Sequence, residues 1–283
     1  MGLARMAERG LPVPAGVVIP VEAFQDFLRH NGLWKSARRL GRLPDPQRAR
    51  ALRAAVLAAP LPPALAAALR AQAPGLGPEL VVRSSGVDED AGDQSFAGLF
   101  RTEIGVRPGD GLERAVLACW ASAFDDRVLA YTRQAEGRPG LRRQLREGRA
   151  DGPGMALVVQ RLVRARISGV TFSVNAMTGS WRQMTVEACW GLGEALVGGH
   201  VVPDHYLVQR PRRLPDPLQR LAARLRLEPL ERSVQPQERE LVLAADGVEW
   251  RAVPASLQQS PKLDDDMLLR LCRLALRAEA MGG

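Results

Sequence analysis

The stretch LVVRSSGVDEDAGDQSFAGLFRTEIGV, residues 80–106, decides how this chain is read. Glu79 to Ser84 is a short apolar run, Ser85 to Gln94 is acidic and turn-forming, and Gly98 to Val106 alternates like a strand. The stretch therefore reads as two strands joined by a polar loop. A strand carrying Arg83 near its end delivers a permanent, forked cation to a sheet edge, and a loop of small residues beside it lets backbone amides approach a phosphate closely. That chemistry suits a nucleotide phosphate. On physical grounds alone, a surface arginine capped by turn acids explains Arg83 about as well.

Upstream, Pro12, Pro14 and Gly16 lead into Val17, Val18 and Ile19, which predicts a turn feeding a short strand. Val21 to His30 follows with helical spacing at Phe24, Phe27 and Leu28. Asp45 to Gln72 is rich in alanine, leucine and arginine and is divided by Pro60, Pro62 and Pro63, so it reads as a helical hairpin. Downstream, Leu112 to Gln134 is helical, with Val116, Cys119, Trp120 and Phe124 able to share a face. Glu136 to Gly154 carries five glycines, two prolines and five arginines and reads as an exposed loop.

Met155 to Val163, Gly169 to Val174 and Met184 to Cys189 are β-rich runs with glycine-containing connections at Thr178-Gly179 and Gly191 to Gly193. Glu238 to Ala244 is a further strand. Leu263 to Met281 is an amphipathic helix whose Asp264, Asp265 and Asp266 suit the positive end of its dipole.

The 283 residues are 46% hydrophobic, enough for one large core or two smaller ones. The net charge of +8 comes almost wholly from scattered arginines, since only Lys35 and Lys262 are lysines. No basic block or aromatic-basic platform points to nucleic acid, and no run approaches a membrane span. Met1 to Gly10 lacks the apolar core of a signal peptide. Cys119, Cys189 and Cys272 form no CxxC pair, so the expected setting is a reducing cytoplasm and no metal ligand is assigned. Gly191-Leu-Gly193 has two of the three glycines of a dinucleotide fingerprint, no Gly-Lys pair marks a P-loop, and Ser84 and Ser85 lack a hydrolase context. His30, His200 and His205 have no ligand spacing and read as surface or packing residues.

The run VRSSGVDEDAGDQSFAGLFRT (82–102) resembles the VRSSATAED(L/M)PDASFAG motif of phosphoenolpyruvate synthases and rifampicin phosphotransferases. The resemblance continues in RGLPVPAGVVIPVEAFQDFL (9–28), CWASAFDDRVLAYTRQ (119–134), MALVVQRLVRARISGVTFSVNAMTG (155–179) and VEACWGLGEALVGGHVVPDHYLVQ (186–209). It implies an α/β (α+β), ATP-grasp-like fold of two subdomains, residues 1–149 and 150–283, with the nucleotide between them. It also implies that Arg83 contacts ATP phosphates as the catalytic cation, that Gly98 lies in the phosphate-covering loop, and that Thr102 and Glu103 follow at the nucleotide. Gln160 falls at the linker lining the adenine, where backbone groups can read the purine edge and the side chain is the less certain participant. Glu187 and Glu194 flank the GLG segment; either is expected to face the nucleotide, with a core or turn role equally open.

In relatives, GLPVPPGF follows a GGKGANLAEM-like stretch whose lysine holds ATP phosphates, and neither Lys35 nor Lys262 has that context. The final helix is similar to one that in relatives leads into DIEWA and LQ(S/A)RP segments, which supply Mg2+ ligands and a further arginine. The expectation is a chain cut at both ends, with the Mg2+ ligands, the phosphocarrier histidine domain and the acceptor-binding domain elsewhere. The resemblance implies the ATP-binding portion of a phosphotransferase acting on pyruvate or a rifamycin hydroxyl. The alternative is a non-catalytic nucleotide-binding module or one piece of a split enzyme.

Overall fold

The computed structural model describes residues 2–42, 45–86, 101–125, 154–210, 227–245 and 247–281. It is a mixed α/β structure with antiparallel sheets, and its contacts divide the chain into two compact units, Pro14–Val163 and Met1–Val13 with Arg164–Gly283. The first helix, α1 (Gly2–Glu8), thus belongs to the unit that contains the C-terminal half.

The Pro14–Val163 unit opens with β1 (Gly16–Ile19) and α2 (Val21–His30), followed by α3 (Trp34–Arg42), which the sequence reading did not anticipate. The proline-divided hairpin is α4 (Pro46–Ala58) and α5 (Pro63–Leu76). Helix α4 starts sharply because Asp45 accepts from the amides of Gln47 (2.9 Å) and Arg48 (3.2 Å), and Pro46 occupies a position where no amide is needed. Then come β2 (Leu80–Gly86), β3 (Thr102–Val106), α6 (Asp110–Ser122) and β4 (Met155–Arg161). Residues 126–153, which include the expected exposed loop up to Pro153, lie outside the described residues.

The four strands form one antiparallel sheet in the order β1-β4-β2-β3. Alternation makes the two faces chemically different. Ile19, Leu80, Val82, Met155, Leu157 and Val159 point into the core, where α2 and α6 pack against the sheet. Trp120 of α6 sits 5.1 Å from the Phe24 ring and 5.0 Å from Phe27, so aromatic residues of two helices close this core. The opposite face carries Val18, Val158, Val81, Arg83 and Thr102, with Val18 64% exposed. Strand β4, assigned in the sequence reading to the subdomain beginning at residue 150, is hydrogen-bonded between β1 and β2.

The other unit contains β5 (Ile167–Phe172), β6 (Gln183–Trp190), the short α7 (Glu194–Val197), β7 (Asp204–Gln209), β8 (Glu228–Ser233), the hairpin β9 (Arg239–Ala244) and β10 (Gly247–Ala252), and α8 (Asp265–Glu279). Strands β5-β6-β7-β8 form an antiparallel sheet in sequence order. Leu268 and Cys272 of α8 pack with Met184, Val186, Ala188, Tyr206 and Val208. Asp264 caps α8, accepting from Met267 N at 2.8 Å, while Asp265 and Asp266 occupy its first turn. Helix α1 is tied to the far end of α8, where Arg5 donates to Met281 O (3.0 Å) and Arg277 to Arg9 O (3.3 Å).

Candidate functional site: the Arg83 face of the first sheet

Arg83 of β2 stands directly opposite Thr102 of β3 on one side and Val158 of β4 on the other. Residues opposite each other in antiparallel strands share a face, so the guanidinium and the Thr102 hydroxyl emerge together from the side of the sheet away from α2 and α6. Arg83 is exposed, and no carboxylate among the described residues pairs with it. A fixed cation beside a hydroxyl, without a counter-charge among the described residues, is disposed to receive an anionic oxygen.

Gln160 lies on the same face, opposite Val81, two residues along β4 from the partner of Arg83. Its side chain is only 7% exposed and donates from Nε2 to Pro14 O at 3.1 Å. Its stem runs across Gly16: a Cβ added there would stand 2.5 Å from Gln160 Cγ and 2.8 Å from Val159 O. Glycine is required at residue 16 by this close approach, not by a special backbone angle. The neighbouring amides are also engaged, Arg161 N to Ala15 O and Leu162 N to Glu79 O, both at 2.9 Å. The Gln160 side chain is thus a structural strut at the edge of the open face.

Glu103 faces the other way. It stands opposite the buried Val82, on the helix-covered side, and forms an ion pair with Arg101. Cys119 of α6 donates to Val82 O (3.6 Å) and Arg101 O (3.5 Å) in the same neighbourhood. Burial pushes its thiol up to about 12, with the Glu103 charge adding to the rise and Arg101 opposing it. The sequence reading grouped Thr102 and Glu103; the two-residue period of a strand separates them. Gly98 lies outside the described residues.

Glu187 and Glu194 belong to the other unit. Glu187 of β6 stands between Val170 and His205, whose Nδ1 is 3.9 Å from Glu187 Oε1. Glu194 is the exposed first residue of α7. Between them the chain turns at Gly191, where φ is +87° and an added Cβ would meet Leu241 O at 2.5 Å. Leu192 N donates to that same carbonyl at 2.8 Å, which pins the turn to β9.

A further group escaped the sequence reading. Lys262 and Asp204 form an ion pair of 2.8 Å in which both side chains are 0% exposed. Asp204 Oδ1 also accepts from Gln235 N (2.9 Å), and its Oδ2 from Tyr206 OH and Lys262 N (both 2.9 Å). Lys262 Nζ donates in addition to Gln235 O at 2.5 Å, and Tyr206 OH accepts from Leu263 N at 3.0 Å. This saturated network ties β7 to the segment entering α8. Its sequence signal was Lys262, one of only two lysines in an arginine-rich chain.

Among the described residues there is no group of three or more His, Cys, Asp or Glu able to hold a metal ion. No single helix among them is long and apolar enough to cross a membrane; α4 and α5 reach that length only as a pair bent by 62°.

Residues 1–282 match the protein family described as the pyruvate phosphate dikinase AMP/ATP-binding domain. The chain is 32% identical over 226 residues to a phosphoenolpyruvate synthase of Aeropyrum pernix, covering 74% of this chain and 26% of that protein. It is 32% identical over 286 residues to a rifampicin phosphotransferase of a Streptomyces species, covering 97% of this chain and 30% of the relative. It is 28% identical over 283 residues to the prodigiosin synthesizing transferase PigC of Serratia marcescens, covering 99% and 28% respectively. The chain thus spans roughly a quarter to a third of the length of these curated relatives.

Proposed function

The chain belongs to the pyruvate phosphate dikinase AMP/ATP-binding domain family, and from that membership we propose that it is the nucleotide-binding portion of a phosphotransferase that moves phosphate from ATP, through a carrier histidine, to pyruvate or a rifamycin hydroxyl. The observation that carries this reading is the pairing of the exposed Arg83 with Thr102 on the face of the first sheet away from α2 and α6.

The residues present fit ATP. Arg83 holds phosphate oxygens through its fork, Thr102 donates its hydroxyl alongside, and Gln160, braced by Pro14 and Gly16, shapes the adjoining edge. Bound there, ATP supplies the phosphoryl group. The protein's part in such a transfer is positioning and charge stabilisation, since little covalent chemistry is asked of side chains. Gly98, Glu103, Glu187 and Glu194 belong to the proposed contact set as well, with an ATP-grasp-like organisation. Mg2+ is the family's expected companion of ATP, but the described residues gather no ligand cluster for it.

Relatives named for pyruvate-linked and rifampicin-linked reactions both match at 32% identity, so the acceptor is proposed as either of these two classes. Isothermal titration of the 283-residue chain with ATP tests the reading. Saturable binding that weakens in Arg83→Ala is expected; binding indifferent to Arg83 would refute the assigned site.

A further inference from the structure

A cleft of about 410 Å³ opens in the unit containing β5 to β10, with Trp190 in its floor, Leu192, Val253 and Leu257 among its apolar walls, and Arg166 and Arg251 at its sides. We propose that this cleft binds a small organic anion, a compact apolar body bearing a carboxylate or phosphate group.

The floor is rigid before any ligand arrives. Trp190 donates its indole N–H to Leu257 O at 3.2 Å, and Gln237, 3% exposed, bonds both to Trp190 N (2.9 Å) and to Trp190 O (3.0 Å). Over this floor Arg166 holds its guanidinium 5.7 Å from the Trp190 ring centroid. No carboxylate among the described residues pairs with Arg166.

The one carboxylate in the lining, Glu240, is already taken by Arg251, which donates from Nη2 (2.8 Å) and Nε (3.3 Å). Among the described residues the lining holds Arg164, Arg166 and Arg251 against Glu240, so the local charge balance is positive, and Arg166 has no carboxylate partner there. Pre-formed apolar walls with a small number of placed polar groups are what a small-molecule site requires, and the volume falls within the usual range for one. A bare inorganic ion has no use for these walls, and a neutral apolar molecule has none for the guanidinium. Arg83 and Thr102 belong to the other unit, and neither Glu187 nor Glu194 lines this cleft.

The test titrates the 283-residue chain with phenyl phosphate and phenylacetate, against inorganic phosphate and benzyl alcohol as controls for charge alone and ring alone. Phenyl phosphate or phenylacetate is expected to bind more tightly than either control. The affinity should fall about tenfold in Arg166→Gln, recover in part in Arg166→Lys, and stay unchanged in Arg38→Gln. Arg166 is exposed, so both substitutions leave the folded core intact, which thermal melting checks. Absence of binding, binding no tighter than the controls, or binding that falls with Arg83→Ala and not with Arg166→Gln overturns the proposal. The last outcome would assign the probe to the nucleotide face, so failure of this inference is distinct from failure of the ATP reading.

Discussion

Arg83 and Gln160 stand on the same face of one antiparallel sheet, Arg83 opposite Val158 and Gln160 opposite Val81. They share it for different reasons. Arg83 is exposed and has no carboxylate partner among the described residues, whereas Gln160 is buried and donates its amide to Pro14 O. One is available to a ligand and the other holds the surface on which a ligand would lie.

Replacing Arg83 by alanine is expected to weaken ATP binding by about 1.5–3 kcal/mol, the usual worth of a hydrogen bond to a charged group. Arg38, which rests 6.0 Å from the Trp34 ring centroid, should tolerate the same change without effect on ATP. Calorimetric titration of both variants gives the contrast, and equal affinities would count against the site.

Gly16→Ala should destabilise the Pro14–Val163 unit by about 1–3 kcal/mol, the range for overpacking a filled site. Its methyl group would press on Gln160 Cγ and on the Val159 carbonyl, and strand backbone does not move aside cheaply. Combining it with Gln160→Ala should recover part of the loss, because the backbone clash remains. Urea unfolding of the single and double variants measures this.

Asp204→Ala leaves Lys262 buried without its counter-charge and should cost about 3–5 kcal/mol. The double change Asp204→Leu with Lys262→Met removes both charges and should cost much less than Asp204→Ala. Thermal and urea melts of the two variants compare them; equal losses would show that the charge pair is not the source of the effect.

The three cysteines should resist a thiol reagent in the native chain at pH 8 and react after unfolding. All are buried, and desolvation raises Cys119 from 9.0 to about 12 and Cys189 and Cys272 to about 11. In the unfolded chain these thiols lose protons from about pH 9, while the folded ones keep theirs to higher pH. Their stabilising contribution is therefore complete below pH 9 and lost progressively between pH 9 and 11 to 12. Denaturant midpoints collected across that window check the sign.

Period and punctuation in the sequence determined much of the local structure. Phe24, Phe27 and Leu28 marked α2, Pro60, Pro62 and Pro63 divided α4 from α5, the short apolar run Glu79 to Ser84 marked β2, and the acidic triplet marked the start of α8, because each signal acts over a few neighbouring residues. The 82–102 motif carried the family. Strand β7 was not legible, since Asp204 occupies a core position of DHYLVQ in place of an apolar residue; Lys262, 58 residues away, supplies the counter-charge that makes a carboxylate tolerable there, with Gln235 N and Tyr206 OH also donating to it. In the same way, adjacency in the motif joined Thr102 to Glu103, while strand pairing put them on opposite faces. Which side chains share a surface depends on register and on distant partners. Those were decided by the tertiary structure, because hydrogen-bonded pairing and the burial of charge are set by residues far apart in the chain.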